Sequence, residues 1–193
     1  MAFILASASS RRLDLLTQIG RIPDAVVPAD VDETLQCDEA PQKLAERLAL
    51  AKANVVAEKH PNDIVLAADT VVACGRRVLA KPADVREARL HLALLSGRRH
   101  RVYGGLAVIN QRRRAVRTVL TTVTFKRLSD EEMRAYLEVG EWQGKAGGYA
   151  IQGRAATFVK RINGSYSNVV GLCLSTTEIM LSGPLGLAAS ATD

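Results

Sequence analysis

Five short segments of the sequence combine residue types that could handle phosphate or a metal ion. In Leu5-Ala-Ser-Ala-Ser-Ser-Arg-Arg12, small residues link a short apolar run to a helical pattern. Such a turn presents backbone N–H groups at the positive end of a helix dipole, and Ser7, Ser9, Arg11 and Arg12 would add hydroxyl and charge-assisted donors. The same residues also make an ordinary capped helix with two solvated arginines. Asp69 interrupts the apolar runs Val65-Leu66-Ala67-Ala68 and Val71-Val72-Ala73. A carboxylate there is costly unless it is paired, ligates a metal or sits where the strand opens on a cleft. It is the most informative single residue of the chain. Glu33, with Asp30 and Asp32, either converges with Asp69 to hold Mg²⁺ through a few oxygens and waters, or belongs to a solvated acidic loop. Lys81, positioned by Pro82, and Lys52 could join the arginines as phosphate ligands, though each lysine taken singly reads as a surface residue. In Gly144-Lys-Ala-Gly-Gly-Tyr-Ala-Ile-Gln-Gly153, glycines allow either an ordinary surface loop or close approach to a ligand. The Gln152 amide both donates and accepts, which suits the edge of a base.

Other chemistries are excluded by what is missing. There is no P-loop signature, and the glycine segment lacks the dinucleotide-binding spacing. His60, His91 and His100 have neither metal-ligand spacing nor a nucleophile partner, which argues against a zinc site or a Ser-His-Asp triad. Cys37, Cys74 and Cys173 are far apart and odd in number, as expected of reduced cysteines in a cytoplasmic protein.

Alternating periodicities supply the elements that must position these groups, and they predict an α/β protein. Phe3–Ala6 reads as a buried strand running through Ser9 and Ser10 into a helix over Arg11–Ile19 that ends at Gly20. Ala25–Val27 is a further short apolar stretch. Pro41–Lys59 reads as a long helix with Leu44, Leu48, Ala51 and Val55 on its buried face and Lys52 beside that face. Ile64–Cys74 is too apolar for a half-exposed strand and reads as a central one. Asp84 caps a helix reaching Leu95, with Gly97 beyond it. Arg101–Ile109 and Ala115–Arg127 form an antiparallel hairpin around Asn110–Arg114. Ser129 and Glu132 make a capping box for a helix closed by Gly140. Ala155–Ile162 reads as a strand, Gly164–Gly171 as a polar loop and Leu172–Leu181 as the last helix, with a loose tail from Ser182.

The chain has 193 residues, 48% of them hydrophobic and 24% charged, the composition of an ordinary globular protein. That length suits one domain over residues 1–193, or two small lobes sharing a core. No secretory leader is read at the amino terminus, and no run approaches a membrane span, so no membrane partner is expected. The 26 basic and 20 acidic residues leave a net charge of +6, which invites a polyanion. Aromatics are only 4%, too few for a base-stacking platform, and a nucleic-acid partner is not expected. Nine of the basic residues fall between Arg98 and Arg127 (Arg98, Arg99, Arg101, Arg112, Arg113, Arg114, Arg117, Lys126 and Arg127), a span without Asp or Glu. The rest of the chain holds 17 basic against 20 acidic residues. The excess charge therefore sits on one hairpin and its flanks, either solvated or acting as an electrostatic guide.

Taken together, the segments Leu5–Arg12, Ala68-Asp-Thr-Val71, Lys81-Pro82, Leu95-Ser-Gly-Arg98, Gly144–Gly153 and Asn163-Gly-Ser-Tyr-Ser-Asn-Val-Val-Gly-Leu172 resemble the Maf family of nucleoside triphosphate pyrophosphatases, in family order over nearly the whole chain. The resemblance implies a two-lobed mixed α/β fold with an elongated central sheet and an interlobe cleft, similar to inosine-triphosphate pyrophosphatase. It implies hydrolysis of a nucleoside triphosphate to the monophosphate and pyrophosphate with a divalent cation, Mg²⁺ or Mn²⁺, in a cytoplasmic homodimer. Carried over by position, Asp69 is the catalytic carboxylate, with Glu33 on the metal side. Ser7, Arg12, Lys52 and Lys81 are phosphate-binding, and Arg11, Thr70 and Gln152 select the substrate. The glycine segment is similar to that of the branch acting on dTTP and UTP, a house-cleaning activity with a link to cell-division arrest, and modified pyrimidine triphosphates belong to the same reading. Ser10 and Cys173 stand where the family usually has proline, which would loosen the anion turn and alter the entry to the last helix. Asp69 would be either general base or metal ligand. The alternative from a different class is a non-catalytic regulator of septum formation that binds nucleotide or nucleic acid.

Overall fold

A computed structural model describes residues 1–111 and 113–183. It contains one seven-stranded mixed sheet with six helices. The strands are β1 (Phe3–Ala6), β2 (Ala25–Val26), β3 (Ile64–Cys74), β4 (Arg77–Leu79), β5 (Arg99–Asn110), β6 (Arg113–Phe125) and β7 (Val159–Asn163). Their order is β2-β1-β3-β5-β6-β7, with β4 also paired to β3. β1 pairs in parallel with β2 and β3, and every other pairing is antiparallel.

The long strands β3, β5 and β6 run through two cores and tie them into one sheet. In the first, α1 (Ser10–Gln18) and α6 (Leu174–Ser182) cover one face, packing Leu15, Leu16, Met180 and Leu181 on Leu5, Leu66 and Val108. On the opposite face α2 (Pro41–Ala57) packs Ala49, Ala53 and Val56 on Ala6, Val65 and Ala67. The second core gathers α3 (Val85–Leu95) and α4 (Asp130–Val139), through Leu92 and Tyr136, on Val72, Val102 and Phe125. These are the two lobes that the resemblance implied.

Most elements lie where the periodicity places them, and β3 coincides with the expected strand. The Asp84 cap accepts from the Glu87 N–H, and the Ser129–Glu132 capping box is complete, with Gly140 left-handed at φ 76°. Four expectations are corrected. The buried face of α2 is Leu44, Ala45, Leu48, Ala49, Lys52, Ala53 and Val56, so Ala51 and Val55 lie at its margin and Lys52 within it. Only Val159–Asn163 of the strand expected over 155–162 is extended. Arg154–Phe158 instead winds into a 3-10 turn, because the Glu141 carboxylate captures the Arg154 N–H and Ala155 and Phe158 are buried three residues apart. The supposed loop 164–171 contains α5 (Tyr166–Val170), capped by the Ser165 hydroxyl, which accepts from the Asn168 N–H. The hairpin strands extend to Asn110 and Arg113, leaving a tighter turn with Gln111 at φ 52°. Arg112 and the tail over 184–193 lie outside the described residues.

Candidate active site

The site exists because β3 has a split edge. One edge is paired with β5 along its length. The other pairs with β1 as far as Ala67 and with β4 only from Val72, so Ala68–Val71 have no strand neighbour there. Asp69 and Thr70 lie in that gap, and strand alternation sends them to opposite faces of the sheet. Asp69 continues the Val65–Ala67 row toward α2. Thr70 continues the Leu66–Ala68 row toward α1.

Each residue meets a cation from the helix on its side. Lys52 of α2 donates to Asp69 Oδ1 at 2.5 Å and to Glu33 Oε1 at 2.6 Å, and Lys81 donates to Glu33 Oε2 at 3.0 Å. Arg12 of α1 donates through Nη1 to Ser7 Oγ at 2.9 Å, through Nη2 to Thr70 Oγ1 at 3.3 Å and through Nε to the Gly171 carbonyl at 2.9 Å. Lys52 and Asp69 are 8% and 7% exposed, a buried ion pair that opens only into the cleft. Burial works to raise the pKa of Glu33, but its bonds from Lys52 and Lys81 outweigh this and hold it below the usual carboxylate value. Burial lowers the pKa of the Arg12 guanidinium, with Asp69 opposing the shift and Arg11 adding to it.

Two glycines that sequence reasoning passed over make this approach possible. Gly105 and Gly104 on β5 lie opposite Asp69 and Thr70 in the ladder. A Cβ on Gly105 would come within 2.0 Å of the Ala45 carbonyl oxygen of α2, and one on Gly104 within 1.9 Å of Asn168 Oδ1. The helix backbone therefore rests directly on the sheet, which lets Lys52 reach Asp69. A glycine pair in the middle of a strand was the signal available for this.

All nine residues carried over from the family resemblance (Ser7, Arg11, Arg12, Glu33, Lys52, Asp69, Thr70, Lys81 and Gln152) line one cavity of about 560 Å³ between the lobes. Asp30 and Asp32 do not line it, and the Asp32 carboxylate instead accepts from the Thr34 N–H. His91 and His100 are buried in the structure away from this wall, and His60 lies near Asp63. Ser10 is the first residue of α1, a position that proline also fits, and the turn before it forms with serine. Cys173 is the buried residue preceding α6, and its sulfur lies 3.4 and 3.3 Å from the Ser175 and Thr176 hydroxyls.

The donor set is compatible with a small hard cation. Asp69 Oδ1 and Glu33 Oε1 already close on a single ammonium at 2.5 and 2.6 Å, so one positive centre can satisfy both carboxylates. Among the described residues no group of three His, Cys, Asp or Glu could enclose a metal. Two carboxylates suit Mg²⁺, which keeps waters and takes phosphate oxygens, better than an ion that needs a complete protein cage.

A mixed sheet with carboxylates and cations gathered at its split edge defines an α/β cleft protein equipped to bind an anionic ligand. Comparison with known proteins narrows this class, because the model for "Maf-like protein" matches residues 2–183. The chain belongs to that family. Its relatives include proteins named dTTP/UTP pyrophosphatase from Paramagnetospirillum magneticum, 61% identical over 93% of this chain and 95% of that protein, and from Rhodospirillum rubrum, 56% identical over 93% and 86%. The protein of that name from Caulobacter vibrioides is 55% identical over 94% and 95%. Among solved structures, the Staphylococcus aureus Ham1 protein matches with a TM-score of 0.42 at 15% identity, over 64% of this chain and 71% of that one. No helix among the described residues is long and apolar enough to cross a membrane.

Proposed function

We propose that the protein is a nucleoside triphosphate pyrophosphatase that hydrolyses dTTP and UTP to the monophosphate and pyrophosphate. The observation that carries this reading is the Asp69–Lys52–Glu33 arrangement beside Arg12, in a chain whose close relatives bear that name. Asp69 and Glu33 would hold Mg²⁺ or Mn²⁺, which when bound supplies Lewis-acid charge to the phosphate oxygens. Asp69 would alternatively orient the attacking water and take its proton. Arg12 has five N–H donors, and three are engaged by Ser7, Thr70 and Gly171, which leaves two for the substrate. Lys52 retains one free donor and Lys81 two. Five donors would thus be available to the charge that gathers on the departing pyrophosphate.

The same reading makes the protein a cytoplasmic homodimer that clears pyrimidine triphosphates, without a nucleic-acid partner. The test is pyrophosphate release from a panel of common and modified nucleotides at low enzyme concentration, with Mg²⁺, with Mn²⁺ and with a chelator. Release from dTTP and UTP that the chelator abolishes is the expected result. Tight, steeply salt-dependent DNA binding without turnover would overturn the reading in favour of a regulator.

A further inference from the structure

One wall of the cavity contains cations that the phosphate chemistry above does not use: Lys145, and Arg11, which the resemblance ties to substrate selection. Arg11, in the first turn of α1, and Lys145, at the entry to the 3-10 turn Ala146–Gly148, both line it, and they come from opposite lobes. The two carboxylates of the cavity, Asp69 and Glu33, accept from Lys52 and Lys81 instead. Lys145 Nζ donates to the Gln143 carbonyl at 2.9 Å, and Arg11 Nε is buried with no acceptor among the described residues. Burial, with the charge of Arg11 adding to it, holds the Lys145 ammonium below the ordinary lysine pKa. Lys145 has the Glu141 carboxylate as a nearby opposite charge, whereas Arg11 brings a buried donor without an acceptor among the described residues, which a ligand that supplies acceptors would satisfy.

Which acceptors they meet follows from the neighbours of Lys145, granted the pyrophosphatase reading. The phosphates already have five free donors around Asp69, where the α-phosphorus must lie for Asp69 to act. Lys145 belongs to the same chain segment as Gln152, and Tyr149, Ala150 and Ile151 between them line the same cavity. An amide that both donates and accepts matches a base edge, whereas a phosphate tail only accepts. We propose that Lys145 reads the base: its ammonium, with Arg11 beside it, donates to the ring carbonyls of a 4-oxo pyrimidine and so selects uracil and thymine over cytosine. Thymine and uracil present an acceptor oxygen at C4, where cytosine presents an amino donor. A donor facing a donor leaves both unpaired once the base covers this wall, the situation in which hydrogen-bonding sites discriminate most strongly.

Lys145→Met removes the charge and keeps the length of the stem. The experiment measures kcat/KM for UTP and for CTP, together with inhibition by inorganic pyrophosphate, on wild type, Lys145→Met and Lys145→Arg. The UTP-over-CTP preference is expected to fall about tenfold or more in Lys145→Met, the value of one charge-assisted hydrogen bond, and to be largely retained in Lys145→Arg. Pyrophosphate inhibition is expected to stay unchanged in both. Equal losses for UTP and CTP in step with weaker pyrophosphate inhibition would place Lys145 on the phosphate tail and overturn the proposal, as would a Lys145→Met protein identical to wild type. Lys145→Ala provides a second variant should Lys145→Met fail to fold, judged by thermal unfolding. Wild-type protein that releases pyrophosphate from no nucleotide would overturn the underlying activity, a result separable from any effect at Lys145.

Discussion

A single ammonium between two carboxylates governs the chemistry available to this cleft. Lys52 donates to Asp69 and Glu33 together, and Lys81 brings a second cation to Glu33, in a place where an unpaired charge would be expensive. Removing one carboxylate therefore does not strand the lysine. In Asp69→Asn the Lys52–Glu33 bond persists and the asparagine carbonyl can still accept, so the fold should survive with an unfolding temperature near that of wild type. The group that orients water and takes its proton is lost, and pyrophosphate release should fall about a thousandfold. Thermal unfolding and a pyrophosphate assay on the same preparation check both halves, and near-normal turnover would remove Asp69 from its role. Asp69 was legible in the sequence because a charge inside an apolar strand has few cheap explanations. Lys52 was not, because a lysine next to a hydrophobic stripe usually extends into solvent, and its burial depends on a partner 17 residues away that sequence spacing does not reveal.

The elements explain how so short a bond is possible. β3 ends one pairing at Ala67 and resumes another at Val72, and its free stretch is backed by Gly104 and Gly105 of β5. Strand identity and the α2 helix followed from periodicity, and the capped starts of α3 and α4 followed from cap chemistry. The split edge did not, since β4 is three residues long and its pairing is non-local information. The 3-10 turn at Arg154–Phe158 was hidden for a similar reason: its apolar residues read as strand until the Glu141 side chain, 13 residues upstream, captures the Arg154 N–H. Gly105→Ala tests the close approach directly. Its Cβ would meet backbone of α2 that cannot rotate away, so the helix must lift from the sheet. Overpacking of this kind should cost about 3 kcal/mol, measurable as a shift in denaturant midpoint. Because α2 carries Lys52, the variant should also lose activity out of proportion to its loss of stability. A midpoint and turnover equal to wild type would show that the helix does not rest on that glycine.

At the scale of the whole molecule, net charge points away from the active cleft. None of the described residues between Arg98 and Arg127, the span that carries the basic excess, lines the cavity. A sum over the chain could not separate solvated arginines from working ones. Acid stability is another global property, and here a few groups with shifted pKa values contribute to its shape. Glu33 and Glu178 have lowered pKa values, Glu178 to about 2 through its bonds from Arg21 and Ser182, so their stabilisation is present above about pH 4.5 and lost as pH falls through their folded values. His100 acts earlier. It is 1% exposed, its Nε2 lies 2.7 Å from the Tyr149 hydroxyl, and its Nδ1 has no partner. Protonation would place a second N–H donor where nothing accepts it, and burial lowers the pKa to about 4. Between pH 6.5 and 4 the unfolded chain binds a proton there that the folded chain refuses, so stability rises with pH across that window. From pH 7 to pH 5 this single group should account for about 2 kcal/mol of lost stability. Burial lowers the pKa of His91 as well, an effect of the same sign. Urea unfolding at the two pH values should show the loss in wild type and a difference smaller by about that amount in His100→Gln, whose amide can still bond to Tyr149. An equal pH dependence in the two proteins would mean that His100 is solvated in the fold and that the acid sensitivity belongs to His91 and the carboxylates.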